Sequence, residues 1–132
     1  MAVSSGGTAN DTVVDNNGSM RVIGTANNTT VNSGGSMTVS SGGTANSTTV
    51  NMGGRMYLSS GGTANSTTVY MFCAMTVNSG GTANSTTVYW RGSMTVNSGG
   101  TASIEFNPWQ GTIVSASGAD IIYLDRNAGV YY

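Results

Sequence analysis

A nineteen-residue phrase returns through most of this chain, and it constrains the fold more than any other feature. Its cleanest copies are residues 37–55 (MTVSSGGTANSTTVNMGGR), 56–74 (MYLSSGGTANSTTVYMFCA) and 75–93 (MTVNSGGTANSTTVYWRGS). Met1 opens another nineteen-residue copy. Met20 opens one of seventeen residues, because Val22-Ile23-Gly24-Thr25 lacks two residues of the Val-Ser-Ser-Gly-Gly-Thr consensus. Met94 opens the last copy, which degenerates after Ala102. A fixed period of this length means units stacked on one another, each contacting its neighbours. Such chains build extended side surfaces rather than enclosed pockets.

Within each copy, glycine pairs punctuate short runs of β-branched residues, as in Ser41-Gly42-Gly43 between Met37-Thr38-Val39 and Thr48-Thr49-Val50. Alternation with a period of two, with Gly, Asn and Ser at the corners, reads as short strands joined by turns. No helical period is present. A βαβ unit needs about 30 residues, more than one copy holds, whereas one rung of a parallel coil fits. The expected fold is therefore all-β: a parallel β-solenoid of about six to seven rungs, with equivalent residues stacked about 4.8 Å apart. Met37, Val39, Ala45, Thr48 and Val50 point inward, with Asn46-Ser47 as a bend. Met20, Met37, Met56, Met75 and Met94 form one interior file, and Val31, Val50, Val69 and Val88 another. Asn27, Asn46, Asn65 and Asn84 form an outward ladder.

The repeat domain is expected to span residues 1–103, and residues 104–132 to form degenerate rungs or a cap. In the tail, Ile104-Glu105-Phe106 replaces the Thr-Thr-Val strand and Asn107-Pro108-Trp109-Gln110-Gly111 reads as a turn. Thr112-Ile113-Val114 and Ile121-Ile122-Tyr123-Leu124 read as the next strands, with a turn at Asp125-Arg126-Asn127-Ala128-Gly129 before Val130.

Composition narrows function by exclusion. Charged residues make up 7% of the chain and the net charge is −1, with no Lys and no His. That gives no basic footprint for nucleic acid. No apolar run reaches the roughly 18–20 residues of a membrane span, so no membrane insertion of this segment is expected. No signal peptide is visible, and the first residues already belong to a repeat, so the chain reads as a segment of a longer secreted protein, with a short complete protein as the alternative. Cys73 is the single cysteine, so it can form no intrachain disulfide. Without His, no Ser-His-Asp, Cys-His or His-based metal site can be assembled. The acid pairs Asp11/Asp15 and Asp120/Asp125 fall at or near turns, where Asp is a turn former. No calcium-binding repeat or phosphate loop is present. The expectation is a protein that is not an enzyme and has no cofactor or metal.

The phrase Ser-Gly-Gly-Thr-Ala-Asn-Ser-Thr-Thr-Val-Asn-Ser-Gly-Gly-Ser-Met-Thr-Val resembles the passenger repeats of self-associating autotransporter adhesins. These are the diffuse-adherence adhesin family and its self-aggregating relatives in Gram-negative bacteria. The resemblance runs from Met1 to about Ala102, three-quarters of the chain, and beyond Ile104 is similar only in rhythm. It implies a right-handed β-helix on the bacterial cell surface or secreted, mediating cell–cell aggregation, biofilm formation or host-cell adhesion. It also implies a glycosyltransferase as a partner, acting on Ser or Thr.

The residues that leave the consensus are concentrated in one turn. Asn32-Ser33-Gly34-Gly35-Ser36 becomes Asn51-Met52-Gly53-Gly54-Arg55, then Tyr70-Met71-Phe72-Cys73-Ala74, then Tyr89-Trp90-Arg91-Gly92-Ser93. Thr38 likewise becomes Tyr57 one copy later. Stacking is expected to bring Met52, Tyr70 and Tyr89 onto neighbouring rungs, with Met71 beside Trp90. The candidate partner-binding residues are Met52, Arg55, Tyr57, Tyr70, Met71, Phe72, Tyr89, Trp90 and Arg91. Tyr, Trp, Met, Phe and Arg are the types enriched at interface hot spots, and a contiguous exposed apolar patch marks interaction. The competing reading is that these side chains fold over the corner and close a local core. Asn-x-Ser/Thr sequons at Asn10, Asn27, Asn28, Asn46, Asn65 and Asn84 read simply as the repeat's bend. Outward Thr files suggest a flat ice-binding face, but Tyr57 and the bulky corners interrupt it.

Two functions follow. The first is an adhesin-type module that binds copies of itself or another protein or cell-surface ligand. The second is a repeat scaffold whose diversified turns recognise an external partner.

Overall fold

The computed structural model describes residues 1–132 apart from Asn16, Ser33, Met52, 106–109, 126–129 and Tyr132. The expected turns at 107–111 and 125–129 therefore fall largely outside the described residues.

Each rung carries three short strands, and corresponding strands of successive rungs stack in parallel. The first strands are Ala2–Val3, Ser19–Val22, Ser36–Val39, Arg55–Leu58, Ala74–Val77, Ser93–Val96 and Thr112–Ser115, which form one seven-stranded sheet. Seven stacked strands bound about six turns of the coil. The second strands are Thr8–Asn10, Thr25–Asn27, Thr44–Asn46, Thr63–Asn65, Thr82–Val88, Thr101–Glu105 and Asp120–Asp125. The third are Val13–Val14, Thr30–Val31, Thr49–Val50 and Thr68–Val69, and in the next rung the third merges with the second as Thr82–Val88. The expected parallel β-solenoid is the fold observed.

Register follows the sequence repeat residue for residue. Met56 pairs with Met37 on one side and Met75 on the other, and Ala64 with Ala45 and Ala83. The seventeen-residue copy keeps this register by shortening one corner: Ile23 and Gly24 both donate to the Val3 carbonyl, at 2.9 and 3.1 Å. After Ala83 the register shifts, so that Ile104 pairs with Thr86. Ile104 thus takes up the position of the first Thr of Thr-Thr-Val, as the sequence indicates, while Phe106 lies outside the described residues. Within the sheet ladders of the described residues only the last pairing, Asp120–Asp125 with Val130–Tyr131, is antiparallel.

Alternation along each strand divides core from surface. The Met file (Met20, Met37, Met56, Met75, Met94), the Val files and the Ala file (Ala26, Ala45, Ala64, Ala83, Ala102) are all buried and form a single core cluster. Met, with its flexible thioether, fills the wide side of a narrow interior, and Ala suits a wall with little depth. Thr29, Thr48, Thr67 and Thr86 are buried beside the bend, and their hydroxyls have no hydrogen-bond partner. Outside, Asn46 Nδ2 donates to Asn27 Oδ1, Asn65 to Asn46 and Asn84 to Asn65, each at 2.9 Å. A second amide ladder joins Asn51 to Asn32 at 3.2 Å.

Candidate interaction surface

The variable turn follows the third strand and leads into the first strand of the next rung. Its first position carries Asp15, Asn32, Asn51, Tyr70 and Tyr89 in consecutive rungs. Backbone bonds fix this file: Asn51 N–H donates to Val31, Tyr70 to Val50 and Tyr89 to Val69, at 2.8 to 3.0 Å. Tyr70 therefore stacks over Asn51, not over Met52, which lies outside the described residues. Tyr70 and Tyr89 stack with ring centroids 5.1 Å apart and planes at 4°.

The third position has positive φ in five successive rungs: Asn17 (64°), Gly34 (79°), Gly53 (84°), Phe72 (62°) and Arg91 (64°). Glycine is the residue suited to that geometry; a side chain there costs roughly 1–2 kcal/mol. Space is not the obstacle, since a Cβ on Gly53 would meet nothing within 4 Å. Phe72 and Arg91 thus carry backbone strain at an open corner, a pattern that collects at functional sites. The Arg91 guanidinium lies over Trp90, 4.4 Å from its ring centroid, and over Phe72 at 5.7 Å. Phe72 is 66% exposed, Trp90 54%, Met71 48% and Tyr70 42%. These side chains do not close over the corner into the core; they form a raised ridge on it.

The fourth position is a close-approach glycine. A Cβ on Gly35 would come within 2.5 Å of the Val14 carbonyl oxygen, and one on Gly92 within 2.7 Å of that of Tyr70. Cys73 occupies this position and is buried, and its thiol donates to the Met71 carbonyl at 3.3 Å. Local backbone bonds are stretched to accommodate it: Cys73 N–H to Tyr70 and Ala74 N–H to Gly54 are both 3.3 Å, against 2.9 and 3.0 Å for the corresponding Gly54 and Arg55 bonds one rung earlier.

Arg55 and Tyr57 are placed differently from the ridge. They stand on the outward face of Arg55–Leu58, Arg55 exposed and Tyr57 half-buried. With Asn17, Gly34, Ser36 and Gly53 they line an open hollow of about 420 Å³. The corner is therefore two surfaces end to end: a hollow where the turns keep glycine, and an aromatic ridge where they lose it. Residue types alone gave no sign of the hollow; the run of Gly34 and Gly53 beside Tyr57 is its only trace in the sequence. Among the described residues no group of three or more His, Cys, Asp or Glu is placed to hold a metal ion. No described helix is long and apolar enough to cross a membrane.

Residues 22–71 match the family described as the adhesin of the bacterial autotransporter system, probable stalk. By that match, residues 22–71 are similar to autotransporter-adhesin stalk repeats. The stalk match ends at Met71, inside the turn that has lost both glycines. Among solved structures the chain is similar to a hyper-glycosylated fragment of TibA whose modification is catalysed by TibC. Identity is 23%, over 95% of this chain and 85% of that one, with a TM-score of 0.32. No curated protein matches the chain.

Proposed function

We propose that this stalk segment is a non-enzymatic adhesion module of the bacterial surface or of a secreted adhesin, acting by self-association. Residues 1–103 serve as the rod and 104–132 as its degenerate end. The interaction site is the variable corner with its flanking strand: Met52, Arg55, Tyr57, Tyr70, Met71, Phe72, Tyr89, Trp90 and Arg91. One observation carries this reading: Tyr70, Met71, Phe72 and Trp90 are all exposed on adjacent rungs at one corner of the rod. Buried aromatics and Arg dominate binding energy where such surfaces are covered by a partner. The outward Ser and Thr residues offer hydroxyls to a glycosyltransferase, in line with the glycosylated TibA fragment.

A second reading takes an external protein or cell-surface ligand as the partner. It is favoured by the concentration of change in the turns, while strands such as Thr63–Asn65 and Thr82–Val88 keep the consensus. One experiment separates the two: light-scattering mass against concentration. The chain is compared with a variant whose residues 70–74 and 89–93 are restored to Asn-Ser-Gly-Gly-Ser. Self-association through the corner predicts oligomers of the parent and monomers of the variant. Oligomers of both place association elsewhere on the rod, and monomers of both leave the corner to an outside partner.

A further inference from the structure

Both outward positions of one strand leave the consensus together. Ser36-Met37-Thr38-Val39 becomes Arg55-Met56-Tyr57-Leu58 one rung on, while Ser93-Met94-Thr95-Val96 keeps Ser and Thr. The inward residues Met56 and Leu58 stay fully buried, so neither outward change serves the core. Arg55 pairs with Ser36 and Tyr57 with Thr38 in the ladder. Both changed side chains border the hollow of about 420 Å³, with Asn17, Gly34, Ser36 and Gly53. We propose that this hollow binds a sugar unit that carries a carboxylate. The proposal rests on the second reading above, an external cell-surface ligand, and gives that ligand a chemistry.

Size, charge and hydrogen bonding point to the same class. Ligand sites run from about 300 to 1,000 Å³, and this hollow stands at the small end, the scale of a mono- or disaccharide. Among the described residues, the side chains of Asn17, Ser36, Arg55 and Tyr57 make no hydrogen bond or ion pair. The amides of Asn32 and Asn51, by contrast, are used in a ladder. Glycine keeps the site open: a Cβ on Gly34 would overlap the Asn17 amide oxygen, and one on Gly53 would project into free space. Arg55 is exposed, and the first strands, from Ala2–Val3 to Thr112–Ser115, carry no acid that could neutralise it. Its planar guanidinium can hold a carboxylate through two parallel N–H bonds. Tyr57 stands two residues along the same face, about 6.6 Å away at strand rise. Its ring offers an apolar surface to the C–H face of a pyranose. The Asn17 amide and the Ser36 hydroxyl supply donors and acceptors for sugar hydroxyls. A lipid would find one apolar side chain here, and a polyphosphate one cation.

The test is titration of the folded chain with four soluble probes, followed through backbone amide chemical shifts. Sialyllactose carries its carboxylate on a terminal sugar, and digalacturonate carries one on every unit. Lactose is a sugar without a carboxylate, and acetate a carboxylate without a sugar. Saturable shifts at residues 34–36 and 53–57 are expected with an acidic sugar, and which of the two binds tells terminal from chain-internal acids. Lactose and acetate are each expected to bind about tenfold or more weakly, since each lacks half of the recognised group. Arg55→Ser and Tyr57→Thr restore residues that neighbouring rungs carry, so the coil is kept, as circular dichroism would verify. Arg55→Ser is expected to weaken binding about tenfold or more, and Tyr57→Thr about threefold or more. Variants that bind like the parent overturn the assignment. So does lactose or acetate binding as tightly as the acidic sugars, and so do shifts confined to 70–72 and 89–91, which would put the ligand on the ridge. If neither acidic sugar binds, the assignment is overturned, while the external-partner reading is still decided by the light-scattering comparison above.

Discussion

Tyr70 and Tyr89 are nineteen residues apart in sequence and one rung apart in space, their rings stacked 5.1 Å between centroids and 4° from parallel. The spacing is that of the rungs, so the backbone ladder imposes the stack instead of the rings seeking each other. One rung earlier the same file is an amide ladder, with Asn51 bonded to Asn32. The corner therefore exchanges a polar ladder for an aromatic one without disturbing the coil beneath it.

Trp90→Ala separates display from core. Trp90 is 54% exposed and its resolved contact is with Arg91. Loss of a largely solvated cation–π contact lowers stability by about 0.5–1 kcal/mol. Association through the corner, by contrast, is expected to be lost. Chemical denaturation and light scattering on the same samples check both halves. A drop of several kcal/mol would mean that the indole is part of the core.

Phe72→Gly restores the residue suited to φ 62°. Relief of the left-handed strain is partly offset by the greater chain entropy of glycine. A net gain of about 0.5 kcal/mol in unfolding free energy is expected, together with weaker association. A variant less stable than the parent would show that the ring contributes more to the folded chain than its exposure indicates.

Two glycines a few residues apart are expected to respond differently to the same substitution. A Cβ on Gly62 would overlap the Val39 carbonyl oxygen and lie 2.7 Å from its carbon, whereas one on Gly53 meets open space. Gly62→Ala forces two rungs apart and is expected to cost about 2 kcal/mol or more. Gly53→Ala carries only backbone strain, about 1 kcal/mol. Urea midpoints at equal m-values measure the ordering, and equal losses would contradict the close-approach assignment.

The interior Thr file offers a stabilising change. Thr67 is buried and its hydroxyl has no partner. Thr67→Val keeps the shape and removes a desolvated polar group, for an expected gain of about 1 kcal/mol. A loss of similar size in thermal unfolding would instead reveal a hydrogen bond that the hydroxyl makes in solution, for example through a buried water.

Much of this molecule is legible in the bare chain because a solenoid converts sequence period directly into spatial adjacency. The Met, Val and Ala files, the Asn ladder and the inward Thr48 all follow from phase alone, since a nineteen-residue step returns each residue to the same place one rung on. The identity of the variable turn, and its likeness to autotransporter-adhesin repeats, were legible for the same reason. Position within the turn was not. Sequence grouped Tyr57 and Arg55 with the aromatic corner, while backbone geometry sets them on a strand lining a hollow. Sequence showed only that Cys73 has no cysteine partner; the coil buries it where its neighbours carry close-approach glycines. Whether Phe72 and Trp90 fold inward or stand out depends on the left-handed turn that precedes the next strand, a tertiary constraint of chain closure. Periodicity alone determined which residues stack, and only the closed coil decided which of them face the solvent.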